Sequence, residues 1–214
     1  GSSALQSNTT ADNNTAVGKS ALLANTTGTS NVAVGAFALD ANTTGNNNLA
    51  IGSSALGAVT TGSQNVAVGG LCLDAVTTST YNTGIGYAAG SALTTGGFNT
   101  ILGGNALVTA TNANNNVAVG YNAMNATTSG AENVAVGFAA LDANSSGSAN
   151  IAIGNNALTS ATTSSNNVGV GNNALSSNTT GTFNTALGAN ALDANTTASN
   201  NTAVGLNSLT ANTT

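Results

Sequence analysis

A glycine recurs every 17 residues along the whole chain, with no insertion or deletion between its thirteen occurrences. A strict period of this kind sets the fold, because each unit must stack on its neighbours to bury its apolar residues. We therefore expect one repeat domain over residues 1–214. The glycines are Gly1, Gly18, Gly35, Gly52, Gly69, Gly86, Gly103, Gly120, Gly137, Gly154, Gly171, Gly188 and Gly205.

The other positions of the repeat can be numbered from this glycine and compared between units. Position −4 is always Asn and position −1 is always Val, Ile or Leu. Position −2 is Ala or Gly, position +3 is Ala, position +4 is Leu and position +8 is Thr, with few departures. The departures are Ile101 at −2, Cys72 and Ser208 at +3, Gly90 and Met124 at +4, and Ser145 at +8.

The segments between the turn residues are too short for helices. "NVAVG" and "ALDA" are bounded by Gly and by Asn-Thr-Thr, which is typical of short strands and turns. The pattern predicts an all-β fold, a parallel β-solenoid of about twelve 17-residue coils. Equivalent positions of successive coils should then lie ~4.8 Å apart, as neighbouring strands of a sheet do.

Alternation along the strand divides the repeat into two surfaces. We expect the aliphatic side chain at −1 and the Leu at +4 inside the coil, where burying each contributes about 1.5–3 kcal/mol. The Ala at −2 and +3 then points outward, either under a tightly packed turn or at an interface between three copies. Cys72, which replaces Ala at +3, should occupy a small packed slot. The Asn and Thr columns should form ladders between coils.

The chain has few ionisable side chains: one Lys, six acids, no His and one Cys, with a net charge of −5. Without His, no Ser–His or Cys–His relay can form, and no basic patch suggests nucleic-acid binding. No apolar run is long enough to span a membrane. We expect no enzyme, no cofactor and no metal. Four acids share position +5 but lie two, four and three coils apart, which predicts solvated side chains: Asp40, Asp74, Asp142 and Asp193.

The segments "NTAVG", "NVAVG", "NLAIG" and "NIAIG" resemble the "NSVAIG" repeats in the head domains of trimeric autotransporter adhesins. The likeness covers all twelve coils. It implies a left-handed parallel β-roll, an exception to the usual right-handed crossover, with three chains per head on a bacterial surface. The repeats of that family are usually shorter, and their Asn lies one position further from the Gly. The "ALxANTTG" half is similar to repeats of tail-fibre and surface proteins, and grass ice-binding β-rolls share the Asn-to-Gly spacing.

Two sets of residues are candidate contact sites. Tyr81 and Phe98, and likewise Tyr121 and Phe138, fall at equal positions of neighbouring coils. Each pair either stabilises the stack or offers a platform for a glycan or another host-surface receptor. The second set is the Asn of each Asn-Thr-Thr or Asn-Ser-Ser segment, which matches the N-glycosylation motif and equally suits a turn: Asn8, Asn25, Asn42, Asn144, Asn178, Asn195 and Asn212.

We expect a segment of an extracellular fibre or adhesin that projects from a cell or virion surface, as a homotrimer or an end-to-end fibre. The alternative is an ice-binding solenoid that uses ranks of Thr. Neither end of the repeat is atypical, as a capping unit would be. This predicts that residues 1–214 are uncapped at both ends and belong to a longer fibre.

Overall fold

Each 17-residue unit contributes one strand of three residues, and the twelve strands stack in sequence order into one parallel sheet. This computed structural model describes residues 1–213, so Thr214, the end of the predicted domain, lies outside the described residues. The parallel β-solenoid and its period are confirmed, and left-handed winding stays a prediction. The strands are β1 (Thr15–Val17), β2 (Val32–Val34), β3 (Leu49–Ile51), β4 (Val66–Val68), β5 (Thr83–Ile85), β6 (Thr100–Leu102), β7 (Val117–Val119), β8 (Val134–Val136), β9 (Ile151–Ile153), β10 (Val168–Val170), β11 (Thr185–Leu187) and β12 (Thr202–Val204).

The interior of each coil is built from Ala, Leu and Asn, not from the aliphatic side chains of the strands. Ala50 at −2, Ala55 at +3 and Leu56 at +4 are fully buried, whereas Ile51 at −1 is 39% exposed. The prediction for Leu at +4 is therefore confirmed. The predictions that the −1 aliphatics lie inside, and that Ala at −2 and +3 points outward, are wrong.

The inward direction of both +3 and +4 follows from the backbone at +4. Leu39 and Leu56 have φ values of 51° and 52°, and the rest of this column is likewise left-handed. A residue in this region turns the chain, so neighbouring side chains need not alternate as they do in an extended strand. Positions +2 and +12 share the conformation, as in Phe37 (59°) and Ser30 (58°). Each costs an L-residue roughly 1–2 kcal/mol, which stacking of the coils must offset.

In two coils, an unusual residue in one interior column is matched by an opposite change of size in another column. Ile101 stands in place of Ala at −2, and Gly90 stands in place of Leu at +4. A Cβ added at Gly90 would lie 2.7 Å from Cδ1 of Ile101. In the preceding coil, a Cβ at Gly84 would lie 2.7 Å from Sγ of Cys72. In these two coils a larger side chain in one interior column accompanies a smaller residue in another, as close packing requires.

Two polar ladders run along the stack, as predicted from the Asn and Thr columns. The backbone N–H of Asn65 and its Nδ2 both donate to Oδ1 of Asn48, at 3.0 and 3.2 Å. The same Nδ2 donates to the carbonyl of Ser79 at 3.0 Å. At +8, Oγ1 of Thr43 donates to the carbonyl of Thr60 at 3.0 Å. The buried Asn column is thereby satisfied from coil to coil, as buried polar groups require.

The period glycine is fixed by close stacking of the coils. Gly35 has a φ of 140°, and a Cβ built there would collide with the carbonyl oxygen of Gly52 in the next coil. The same relation holds between each described period glycine and its successor as far as Gly188. Any side chain at this position would push two coils apart, which explains why the column is invariant.

Candidate functional site

The first and third residues of every strand form a continuous surface, which we call the outward strand face. All twelve side chains at −1 and seven of the twelve at −3 are aliphatic, and the other five are Thr. Ile85 and Leu102 on this face are 40% and 44% exposed, while Ile101, the middle residue of β6, is fully buried. Eleven steps of the sheet give the face a length of about 53 Å.

Aromatic side chains border this face where β5 to β8 lie. Tyr81 and Phe98 each stand immediately before the buried Asn at −4, and Tyr87, Tyr121 and Phe138 each follow a period glycine. All five rings are between 50% and 64% exposed. We call these five residues the aromatic border.

The rings of the aromatic border are stacked in the pairs predicted from the sequence. The centroids of Tyr81 and Phe98 lie 5.1 Å apart, and those of Tyr121 and Phe138 lie 6.1 Å apart, each pair with an interplanar angle of 15°. Tyr87 is not among the residues predicted to form pairs, because both adjacent coils have glycine at +1, Gly70 and Gly104. The signal that identifies it is the glycine one coil earlier, since a Cβ at Gly70 would lie 3.7 Å from its ring.

The candidate glycosylation sites lie mostly inside the coil. Asn25, Asn42, Asn144, Asn178 and Asn195 are fully buried, and Asn8 and Asn212, in the terminal coils, are half-buried. The side-chain nitrogen of Asn25 donates to the carbonyl of Gly28 at 2.9 Å, and that of Asn178 donates to Gly181 at 3.0 Å. In the folded chain the buried five side chains are shielded from solvent, which favours the turn role over the role of glycan acceptor, and glycosylation stays a prediction.

The acids at +5 are less solvated than the sequence suggested. Burial raises the pKa of Asp40, Asp74 and Asp142 above the usual range, with backbone hydrogen bonds partly opposing the shift in the first two. Oδ1 of Asp74 and of Asp193 is buried without a hydrogen-bond partner. These carboxylates do not converge, and within residues 1–213 no three metal-ligating side chains lie together.

The Cys72 thiol is fully buried in the small slot that the sequence predicted. Burial raises the pKa of this thiol to about 12, so it is protonated at neutral pH and unreactive. The slot lies within the coil, and thiols of neighbouring copies therefore cannot meet there.

The described part of the chain has no pocket that could enclose a small molecule. Residues 1–213 also contain no helix, and so no helical segment that could cross a membrane. Comparison with protein-family models, curated proteins and solved structures finds no match to this chain. The outward strand face and the aromatic border are therefore the features on which a functional conclusion can rest.

Proposed function

We propose that this chain is a structural segment of an extracellular fibre or adhesin, which projects from a cell or virion surface and assembles through its outward strand face. The observation that carries the proposal is the unbroken aliphatic rank at −1, beside a second rank at −3 that is mostly aliphatic. A soluble chain that leaves such a surface uncovered would aggregate.

The size of the face supports association of whole chains. About 53 Å of length and roughly 10 Å of strand width, three residues at ~3.3 Å each, give about 530 Å². This lies near the upper end of the largest apolar patches on typical monomers, about 300–600 Å² and often functional. It is about two thirds of the roughly 800 Å² that each partner buries in a standard protein–protein interface.

A second copy of the chain is the partner that fits this face along its full length. Any copy has the same period, so side chains of two facing ranks meet in the same relation at every coil. We propose three copies around a common axis, as the resemblance to trimeric adhesins implies. The sequence predicts this interface at the Ala columns, which are interior. We propose it instead at the Val, Ile and Leu ranks of the outward strand face. With one Lys and six acids per chain, the assembled rod would respond little to salt.

The test is the mass of the assembly in solution, measured by light scattering and sedimentation. We expect about three times the chain mass of 20.3 kDa. Val119→Lys with Val136→Lys puts two charges on adjacent strands of the face and should give monomers, because an unpaired buried charge costs several kcal/mol. Ser129→Lys with Ser146→Lys is the matched control, since both serines are exposed one coil apart at +9, away from the face.

A wild-type monomer, or a trimer that persists in the Val119→Lys, Val136→Lys variant, would contradict the proposal. A stable dimer would keep the interface and exclude the threefold arrangement.

Ice binding is the second candidate, because Thr residues at −3 lie on the same flat face as the −1 rank. These are Thr15, Thr83, Thr100, Thr185 and Thr202. The −1 rank has no Thr and mixes Val, Ile and Leu, which makes its height uneven and favours assembly instead. The Thr hydroxyls at +8 are engaged in the ladder, as Thr43 shows. Thermal hysteresis of the purified protein separates the two functions: we expect none, and a clear activity would favour ice binding.

A further inference from the structure

The aromatic border concentrates most of the chain's aromatic residues in one stretch of the rod. The sequence has seven aromatic residues among 214, and five of them flank the four consecutive strands β5 to β8. The coils that contain β5 and β6 also have the two interior pairs in which a larger residue accompanies a smaller one. These pairs are Cys72 with Gly84 and Ile101 with Gly90. Both the surface and the interior of this stretch depart from the regular repeat, as a specialised contact region would.

The rings pack against groups of neighbouring coils. A Cβ at Gly104 would lie 3.4 Å from the ring of Tyr121, so this ring rests on a glycine of the preceding coil, as Tyr87 rests on Gly70. Tyr121 is stacked on Phe138 on the next coil. An aromatic surface that is already ordered loses little side-chain entropy on binding, which favours affinity for a weakly interacting ligand.

The polar groups next to the rings are almost all uncharged. Thr83 and Thr100 lie on the strands between the rings, and Nδ2 of Asn105 reaches the hydroxyl of Tyr121 at 3.5 Å. Glu132 is the single acid in the border columns of β5 to β8, and the chain's one base, Lys19, lies coils away. Nucleic acid finds no countercharge here. Of the three residue types enriched in protein–protein hot spots, the border has Tyr but neither Trp nor Arg.

Aromatic rings with neighbouring hydroxyl and amide groups suit the two-sided chemistry of a neutral sugar. The C–H groups on the flat side of a pyranose can pack on a ring, while its hydroxyls exchange hydrogen bonds with Thr, Asn and Tyr. Tyr87 and Tyr121 share one column two coils apart, about 9.6 Å by strand spacing. This spacing offers contacts to more than one sugar of a linear chain and so adds avidity along the rod.

We propose that the aromatic border binds a linear, uncharged polysaccharide, with successive sugar rings packed on the aromatic side chains along the rod. The inference deepens the proposed function by naming the chemistry that the fibre contacts. The five rings lie beside the outward strand face and not within its two ranks, so packing of sugars on the rings does not require that face to be free. Only Thr83 and Thr100 belong to both surfaces, since they stand at −3 on β5 and β6.

Native gel electrophoresis through soluble neutral polysaccharides tests the inference, with laminarin, hydroxyethyl cellulose and galactomannan as probes. We expect the wild-type protein to be retarded by at least one of them. Tyrosine fluorescence gives an independent signal, because the chain has three Tyr and no Trp, and all three Tyr belong to the border. A saturable change in emission on titration with the retarding polysaccharide should accompany the retardation.

The decisive variants replace rings with residues that other coils carry in the same columns. The double variant Tyr87→Ser, Tyr121→Ser introduces the residue that Ser53 shows at +1. It should weaken retention about tenfold or more, because each aromatic contact accounts for roughly three- to tenfold in affinity. Phe183→Asn is the matched control: it removes an exposed ring outside the border, and Asn166 shows that its column accepts Asn. This control should be retained like the wild type, and circular dichroism should show the same fold in all three proteins.

No retardation by any of the three probes would overturn the inference, and so would equal retention of the wild type and the double Tyr variant. Light scattering on the same samples keeps the two proposals apart. A wild-type monomer that binds a polysaccharide would overturn the proposed trimer and keep the glycan site. A trimer that binds none of the probes would keep the proposed assembly and overturn the glycan site.

Discussion

The two surfaces of the same three-residue strands differ in what they accept. At −2, which faces the interior, the residue is Ala or Gly in every coil but one. At −1, which faces outward, it varies freely among Val, Ile and Leu. The more hydrophobic side chains are therefore on the outside. In a coil this narrow, size and not hydrophobicity decides which surface of the strand faces the interior, because the close-packed interior has no room for a large side chain at −2 beside the Leu at +4.

The largest difference between the inward and outward surfaces is expected for two neighbouring residues of β3. Ala50→Leu adds three carbons to the interior between Ala33 and Ala67 and should cost about 3 kcal/mol or more of unfolding free energy. Ile51→Leu makes an isomeric change on the outward face and should stay within about 0.5 kcal/mol. Urea denaturation followed by circular dichroism measures both. Equal effects of the two substitutions would mean that the interior is not limited by size.

The unusual pair Gly90 at +4 and Ile101 at −2 tests the same size limit, because here the usual residues are restored. Gly90→Leu restores the usual +4 residue against Ile101 and should cost about 2–3 kcal/mol by overpacking. Ile101→Ala alone leaves a cavity and should cost about 2–4 kcal/mol. The double variant rebuilds a regular coil and should return to within about 1 kcal/mol of the wild type. A double-mutant cycle measures this coupling, and simple additivity of the two costs would refute it.

Two buried asparagines on either side of Gly137 allow paired and unpaired buried polar groups to be compared. Asn133 accepts the backbone N–H of Asn150 at 3.0 Å, and both Asn133 and Asn144 donate to the carbonyl of Gly147 at 3.0 Å. Oδ1 of Asn144 has no partner, because Ala161 replaces Asn at this position in the next coil.

Asn133→Val should therefore cost about 2 kcal/mol, since it leaves a buried N–H unsatisfied. Asn144→Val should stay within about 1 kcal/mol, because it removes an acceptor that is already unpaired and Asn133 still serves Gly147. Val59 and Val76 show that the column of Asn144 accepts this side chain. The two unfolding free energies are compared in urea, and a larger loss for Asn144→Val would contradict the ladder as described.

The smallest effect concerns pH. The pKa values of Asp40, Asp74 and Asp142 are raised in the folded chain above the usual 3.8, mainly by burial. Protonation therefore favours the folded state, so stability should rise as pH falls from neutral through the folded pKa values and level off below about 3.8.

We expect the unfolding temperature to rise by about 1–4 °C on acidification, and Asp142→Asn to supply part of this gain at pH 7. Asp12→Asn, at an exposed site, is the control. Steady loss of stability on acidification would contradict the prediction.

The period, the parallel stack, the Asn and Thr ladders and the two aromatic pairs could all be predicted, because each depends only on equal residues recurring one coil apart. The inward and outward surfaces could not, because alternation was applied across Leu39 and its equivalents, where a left-handed backbone turns two successive side chains inward. The choice of surface also assumed that the larger aliphatics go inside. The restriction of −2 to Ala or Gly beside a variable −1 was the available signal for the opposite arrangement. Burial of Asn25 and its equivalents had no such signal, since the same residues suit an exposed turn.

The uniform stacking of the coils has a mechanical consequence. A chain pulled from its two ends along the rod would lose coils one at a time, because the outermost coil is held by a neighbour on one side only and detaches before the coils that are held on both sides. Each coil of 17 residues would release about 55–60 Å of extended chain in exchange for one strand spacing of ~4.8 Å. Such a rod lengthens in equal increments under load and dissipates work at every step, as a shock absorber does.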